Sequence, residues 1–245
     1  MLTLNCDLGE SYGSWSMGLD REIMPCIDQA NIACGFHAGD PLIMARTVAY
    51  AAEHKVEIGA HPAYPDLVGF GRRSMNCSSE EIVALLHYQI AALDGICASH
   101  GTQLSYVKPH GALYNDMMRD AQIRAAVMQA ISSYARPLKL MILSTGDLPA
   151  HQQEASALGL HLMLEGFADR RYTPEGQLQN RAIDGAVLSE VDSLTQVRQL
   201  FEHGTVVASD GSELALQVDS LCVHGDNPAA LNAVREIRRL IDTSE

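Results

Sequence analysis

Positive charge is scarce in this chain. Its 17 Lys and Arg stand against 30 Asp and Glu, a formal net charge of −13. Nucleic acids and anionic membrane surfaces need a basic face, so this balance argues against both as partners. A small anionic molecule held by a few local Arg or Lys is still allowed. Long apolar runs are missing too, and no stretch approaches the roughly 18–20 apolar residues of a membrane span. The opening segment, MLTLNCDLGE, lacks a basic start followed by an apolar core. That predicts no signal peptide and a cytoplasmic protein. Cysteines stand at 6, 26, 34, 77, 97 and 222, never as Cys-x-x-Cys. This spacing argues for reduced, mostly buried thiols and against a disulfide framework or zinc knuckle. There is no G-x-x-x-x-G-K-[ST] loop for a nucleotide phosphate and no Gly-x-Ser-x-Gly elbow, which lowers the case for covalent serine catalysis.

What is present is a repeated theme: a short apolar run, then a helical pattern. The runs are LTLNCD, NIACGFH, VEIGAHP, LSYVKPHG, LKLMILS, GLHLMLEGFAD and QVDSLCVHGD. Helices are predicted after Pro41, over SSEEIVALLHYQIAALDGICASH, over 117–134, over 188–202 and after Pro228. Alternating strands and helices predict parallel strands with helical crossovers. No linker interrupts the 245 residues. The expected fold is therefore one α/β domain spanning 1–245, a parallel (β/α) barrel of about seven strands, with a doubly wound open sheet as the alternative. Two stretches fit poorly: the turn-rich DRRYTPEGQLQNRAIDGA, and TVVASDGSELALQVD, which suggests a hairpin at Asp210-Gly211.

The strand ends carry the chemistry. The first ends in Asn5 and Asp7 with Glu10 close behind, the second in His37 and Asp40, and the third in His61 followed by Tyr64, Arg72 and Arg73. The fourth ends in Lys108 and His110 with Tyr114 and Asn115, the sixth in Glu165, Asp169 and Arg170, and the last in His224 and Asp226. Parallel α/β folds gather the C-terminal strand ends on one face, so these residues should share one pocket. Gly35, Gly59, Gly111 and Gly225 accompany them and permit sharp bends. His54, His87, His100, His151, His161 and His203 fall on helices, at helix ends or within a strand, and are read as structural. Asp7, His37 and His61 form a workable divalent-metal set; without metal, the same groups could act as general acid and base. Lys108, Arg72 and Arg73 offer positive charge for a carboxylate, a phosphate or a developing oxyanion.

Six motifs in order, LNCDLGES, NIACGFHAGD, GAHPAYPDLVGFGRR, VKPHGALYN, EGFADRRYTPEGQLQNR and CVHGDNP, make the chain resemble the LamB/YcsF family. The resemblance implies a seven-stranded barrel related to glycoside hydrolases and deacetylases. It implies ATP-dependent opening of 5-oxo-L-proline to L-glutamate, in a complex with 5-oxoprolinase subunits B and C; since this chain shows no nucleotide motif, those partners are expected to handle ATP. On that reading Asp7 or His61 activates water, directly or through a metal. Lys108 and His110 stabilise the oxyanion or protonate the leaving nitrogen, and Arg72 or Arg73 holds the substrate carboxylate or a phosphate. Asn5, Glu10, His37, Asp40, Tyr64, Tyr114, Asn115, Glu165, Asp169, Arg170 and His224 complete the expected substrate-binding set. A metal-dependent deacetylase or amidohydrolase acting alone, and a non-catalytic scaffold, are the rival readings.

Overall fold

Alternation with period two decides where each strand residue points. In β1, Thr3–Leu8, the side chains of Asn5 and Asp7 bond across the interior of the sheet, while Leu4, Cys6 and Leu8 join the apolar core. β2, Gln29–Ala33, does the same with Gln29 and Asn31 inside and Ala30 and Ile32 in the core. β3 (Glu57–His61), β4 (Leu104–Val107), β5 (Lys139–Leu143) and β6 (Leu162–Phe167) follow in spatial order. The computed structural model describes residues 2–224 and 228–243. Gly225 and Asp226, expected at the last strand end, lie outside them.

An antiparallel hairpin, β7 (Thr205–Val207) and β8 (Glu213–Ala215), turns at Asp210-Gly211 as expected, with Gly211 at φ 87°. The last strand, β9 (Ser220–Val223), pairs in parallel with both β1 (Asn5 opposite Cys222) and β6 (Glu165 opposite Ser220). This double pairing closes the seven parallel strands β1-β2-β3-β4-β5-β6-β9 into a barrel and overturns the open-sheet alternative.

The barrel interior is polar where an apolar filling would be usual. Gln29 donates to Glu57 and accepts from Ser220, whose hydroxyl in turn accepts from Asn5. Asn31 donates to Asn5 Oδ1 and Asp7 Oδ1, both at 2.8 Å, and accepts from Tyr106 Oη at 2.6 Å. Tyr106, Met141 and Met163 pack together as an apolar patch inside. Gly59 makes room for this arrangement, because a Cβ there would lie within the Tyr106 ring.

The helices wrap outside. A single turn, α1 (Asp20–Ile23), precedes β2. α2, Pro41–His54, is capped by Asp40, which accepts from Leu42 N and Ile43 N. α3, Ser79–Ser99, opens on a capping box between Ser78 and Glu81. By length and composition α3 could cross a membrane, contrary to the expectation that no stretch comes near that size. Here Ile82, Leu86, Ile90, Leu93 and Cys97, three or four apart, bury one face of it.

The helix expected over 117–134 is two: α4, Gly111–Arg119, and α5, Ala121–Ser132. Asp120 leaves helical geometry and caps α5 by accepting from Gln122 N and Ile123 N. α6, Leu148–Ala157, has no counterpart among the predicted helices; His151 and Ala155 are its buried residues, too thin a stripe to register in the sequence. α7 (Glu190–His203), capped by Ser189, and α8 (Pro228–Thr243) complete the ring.

Candidate active site

β1, β3, β4 and β9 end around one cavity of about 380 Å³, lined among others by Asp7, Glu10, His61, Lys108, His110 and His224. Lys108 is the centre of its floor. Its ammonium lies 2.6 Å from Glu165 Oε1, 3.0 Å from Asp7 Oδ1 and 3.3 Å from Asn5 Oδ1. Burial disfavours that charge, but Asp7 and Glu165 outweigh it and raise the Lys108 pKa well above the ordinary lysine value. Burial likewise works against ionised Asp7, yet His61 and Lys108 hold its pKa well below the ordinary carboxylate value. Tyr114 Oη donates to Glu165 Oε2 at 2.7 Å, which fixes the second carboxylate. Lys108 is thus a permanent cation and Asp7 a permanent anion at neutral pH.

Three histidines crowd the same end. His61 Nδ1 is 2.7 Å from the Lys108 carbonyl oxygen, and its Nε2 is 3.4 Å from Asp7 Oδ2. His110, just before α4, places Nδ1 3.0 Å from His61 Nε2 and Nε2 2.9 Å from the Phe70 carbonyl oxygen. His37 stacks on His110 with centroids 3.7 Å apart and bonds Glu10 Oε1 through Nε2 at 3.3 Å. Burial pushes the pKa of His37 and His110 well down, so both rings are neutral at pH 7.

Across the cavity, His224 Nδ1 is 2.8 Å from Asp169 Oδ2. Burial opposes protonation, but the Asp169 carboxylate prevails and raises the His224 pKa. His224 therefore holds a proton more tightly than His37 and His110 do. Asp169→Asn should drop the His224 pKa below the ~6.5 of a free imidazole, since burial and Arg181 would then be opposed by Asp7 alone. Ring-proton NMR titration of His224 in both forms reads this directly. An unchanged midpoint would show that Asp169 does not set its charge.

The model of the LamB/YcsF family matches residues 2–245. This chain belongs to the LamB/YcsF family. It is 56% identical over 245 residues to the second 5-oxoprolinase A subunit of Pseudomonas putida, covering 100% of this chain and 95% of that protein. It is 50% identical over 242 residues to the 5-oxoprolinase A subunit of Vibrio cholerae, covering 98% of both chains. Among solved structures, the lactam utilization protein of Thermus thermophilus superposes with a TM-score of 0.89 at 40% identity, over 98% of this chain and 97% of that one.

In this LamB/YcsF barrel, Asp7, Glu10, His61, Lys108, His110 and His224 converge, and Arg72, Tyr114, Asn115 and Arg170 also reach the cavity wall. The other predicted site residues do not line it. Asp40 caps α2 and accepts from Gly13 N. Arg73 pairs with Asp66, so of the two adjacent arginines only Arg72 faces the cavity. Buried Tyr64 donates to Asp116. Asn5 and Glu165 lie beneath the floor as partners of Lys108, and Asp169 stands behind His224. Arg170 is buried and donates to the Gln179 carbonyl, so its main task is holding the 171–186 loop. The metal set also shifts. The ligand atoms that come together are those of Glu10, His37, His61 and His110, while Asp7 groups instead with Cys222 and His224.

Sequence reasoning missed Arg119 and Arg181, both on the cavity wall. Arg119 ends a helix and Arg181 sits in the turn-rich loop, so neither follows a strand.

Proposed function

We propose that this chain hydrolyses the lactam C–N bond of 5-oxo-L-proline, in a phosphate-activated form, within an ATP-dependent 5-oxoprolinase whose partner subunits B and C handle ATP. The observation that carries the reading is the cavity floor. A fixed cation, Lys108, and a fixed anion, Asp7, lie 3.0 Å apart, with His224, whose pKa Asp169 raises, near the same carboxylate. The full-length likeness to proteins named for the A subunit of 5-oxoprolinase supports the substrate.

A lactam is a resonance-stabilised amide that water attacks slowly. Phosphorylation of its oxygen, using ATP, makes C5 electrophilic. Asp7 Oδ2, the oxygen not committed to Lys108 and Asn31, accepts the proton of the attacking water; a carbon so activated needs only a weak base. Lys108 stabilises negative charge developing at the C5 oxygens. The C5–N bond breaks as His224 delivers its proton to the nitrogen, leaving an acyl phosphate. A second water releases phosphate and gives glutamate. Arg72, Arg119 and Arg181 supply the positive charge that the carboxylate and phosphate need, in a chain that is otherwise strongly acidic.

Glutamate release from 5-oxoproline, measured with and without ATP and with and without subunits B and C, tests this. Formation is expected only when ATP and all three subunits are present. Asp7→Asn in the full assembly should lower it on the order of 100-fold or more. Near-normal turnover by folded Asp7→Asn, or release by this chain alone without ATP, would overturn the proposal.

A further inference from the structure

Two histidines at the cavity wall bring ring nitrogens face to face. A carbonyl oxygen can only accept a hydrogen bond. His61 Nδ1 bonds the Lys108 carbonyl, so that nitrogen carries the hydrogen, and in the neutral ring Nε2, 3.4 Å from Asp7 Oδ2, is bare. His110 Nε2 bonds the Phe70 carbonyl, so its Nδ1 is bare. The two bare nitrogens stand 3.0 Å apart. Neither can donate to the other while both rings are neutral, and the contact is repulsive unless a cation lies beside both.

The surroundings lock this arrangement. Phe70 adopts a left-handed conformation, φ 55°, which is strained for a residue with a large side chain and aims its carbonyl at His110. Gly71 follows at φ 64°, and a Cβ there would press on both His110 and His37. Backbone carbonyls that hold the far nitrogen of an imidazole are the usual outer support of a metal-binding histidine.

We propose that Glu10, His61 and His110 hold a divalent transition-metal cation of the zinc type, with the open positions facing the cavity. Nitrogen and oxygen ligands at about 2.1 Å from a tetrahedral ion stand roughly 3.4 Å from one another. Two of the three pairs here bracket that spacing: 3.0 Å between the two nitrogens, and 3.8 Å from His110 Nδ1 to Glu10 Oε1. All three residues line the cavity, and their ligand atoms lie within 4.8 Å of one another.

His37 belongs to the support. Its ring lies parallel to His110 at 4°, so the two cannot aim in-plane lone pairs at one point. Instead its Nε2 holds Glu10 Oε1. Asp7, committed to Lys108 and Asn31 through Oδ1, has Oδ2 3.4 Å from His61 Nε2 and would serve as the base for a water held by such an ion. This replaces the Asp7, His37, His61 set expected from the strand ends.

The experiment uses the full chain stripped by a chelator and titrated with Zn2+ by calorimetry. Co2+ serves as a visible-absorption probe, and thermal melting is followed in parallel. One equivalent is expected, with a Kd on the order of 10 µM or tighter and a raised melting temperature. His110→Gln and Glu10→Gln should each weaken binding about 10–100-fold. His87→Gln, remote from the cavity, should not change it. Far-UV circular dichroism checks the fold of each variant, and Glu10→Gln decides the matter if His110→Gln does not fold. Absence of saturable binding, or binding unmoved by the two ligand substitutions, would overturn the proposal in favour of a proton shared by the two rings. Neither outcome depends on glutamate release, so this result stands apart from the hydrolase reading.

Discussion

Lys108→Met is expected to remove turnover and to destabilise the chain by about 3–5 kcal/mol, the range for breaking a buried ion pair by deleting one partner. The ammonium is 3% exposed and serves two carboxylates, Asp7 and Glu165, the latter fully buried. Methionine fills much of the volume but leaves both anions facing each other without a counter-charge. Arginine is no substitute: its planar fork cannot sit where Glu165 Oε1, Asp7 Oδ1 and Asn5 Oδ1 converge on a single nitrogen.

The pH dependence should change sign. In the native protein the folded-state pKa of Asp7 is depressed, so Asp7 adds stability above its unfolded value, near ~3.9, and that contribution is lost as pH falls through the folded value. In Lys108→Met, burial and the facing Glu165 carboxylate oppose ionisation of Asp7 without the lysine charge that offset them. The variant should therefore gain stability as pH falls and the pair takes up a proton. Urea midpoints at several pH values, together with glutamate release in the reconstituted assembly, measure both effects. A variant within about 1 kcal/mol of the native protein at pH 7 would mean that the floor is not held by this cation.

Gly59→Ala should do comparable damage from a position that touches no substrate. The added methyl would occupy space filled by the Tyr106 ring, which is fully buried and hemmed in by Met141 and Met163. Overpacking of this kind costs typically about 1–3 kcal/mol and forces the ring to move. Movement of the ring pulls its hydroxyl from Asn31 Oδ1, and Asn31 is the residue that ties Asn5 to Asp7. A loss of kcat with little change in KM is therefore expected alongside a lower melting temperature. Tyr106→Ala in the Gly59→Ala background should recover part of the stability but not the activity, because Asn31 stays untethered. Independent, additive effects of the two substitutions would refute the coupling.

Much of this is legible in the sequence because closed parallel barrels use the strand end as an address. Asp7, His61, Lys108 and His224 each lie at or just past the end of an apolar run, and the fold brings them together. The same signal misleads where one residue type serves two ends. Asp40 also follows a strand, but it stands immediately before a proline-led helix and is spent as a cap. Arg72 and Arg73 are indistinguishable in sequence, and only the tight turn around Asp66 separates them. Asn31, Tyr106 and Ser220 are hidden because they lie within strands, where polar residues usually mark a solvent face. Here that face is the inside of the barrel. The pairing of His61 with His110 depends on which carbonyl each ring meets, and nothing local in the sequence records that.

Closure of the sheet by β9 against β1 joins residues more than two hundred positions apart, Asn5 to Cys222 among them. A ribosome must therefore release nearly the whole polypeptide before Asp7 meets the strand that leads to His224. Fragments ending just before residue 220 would retain six of the seven barrel strands, an unpaired edge on either side, and half of the acid–base pair.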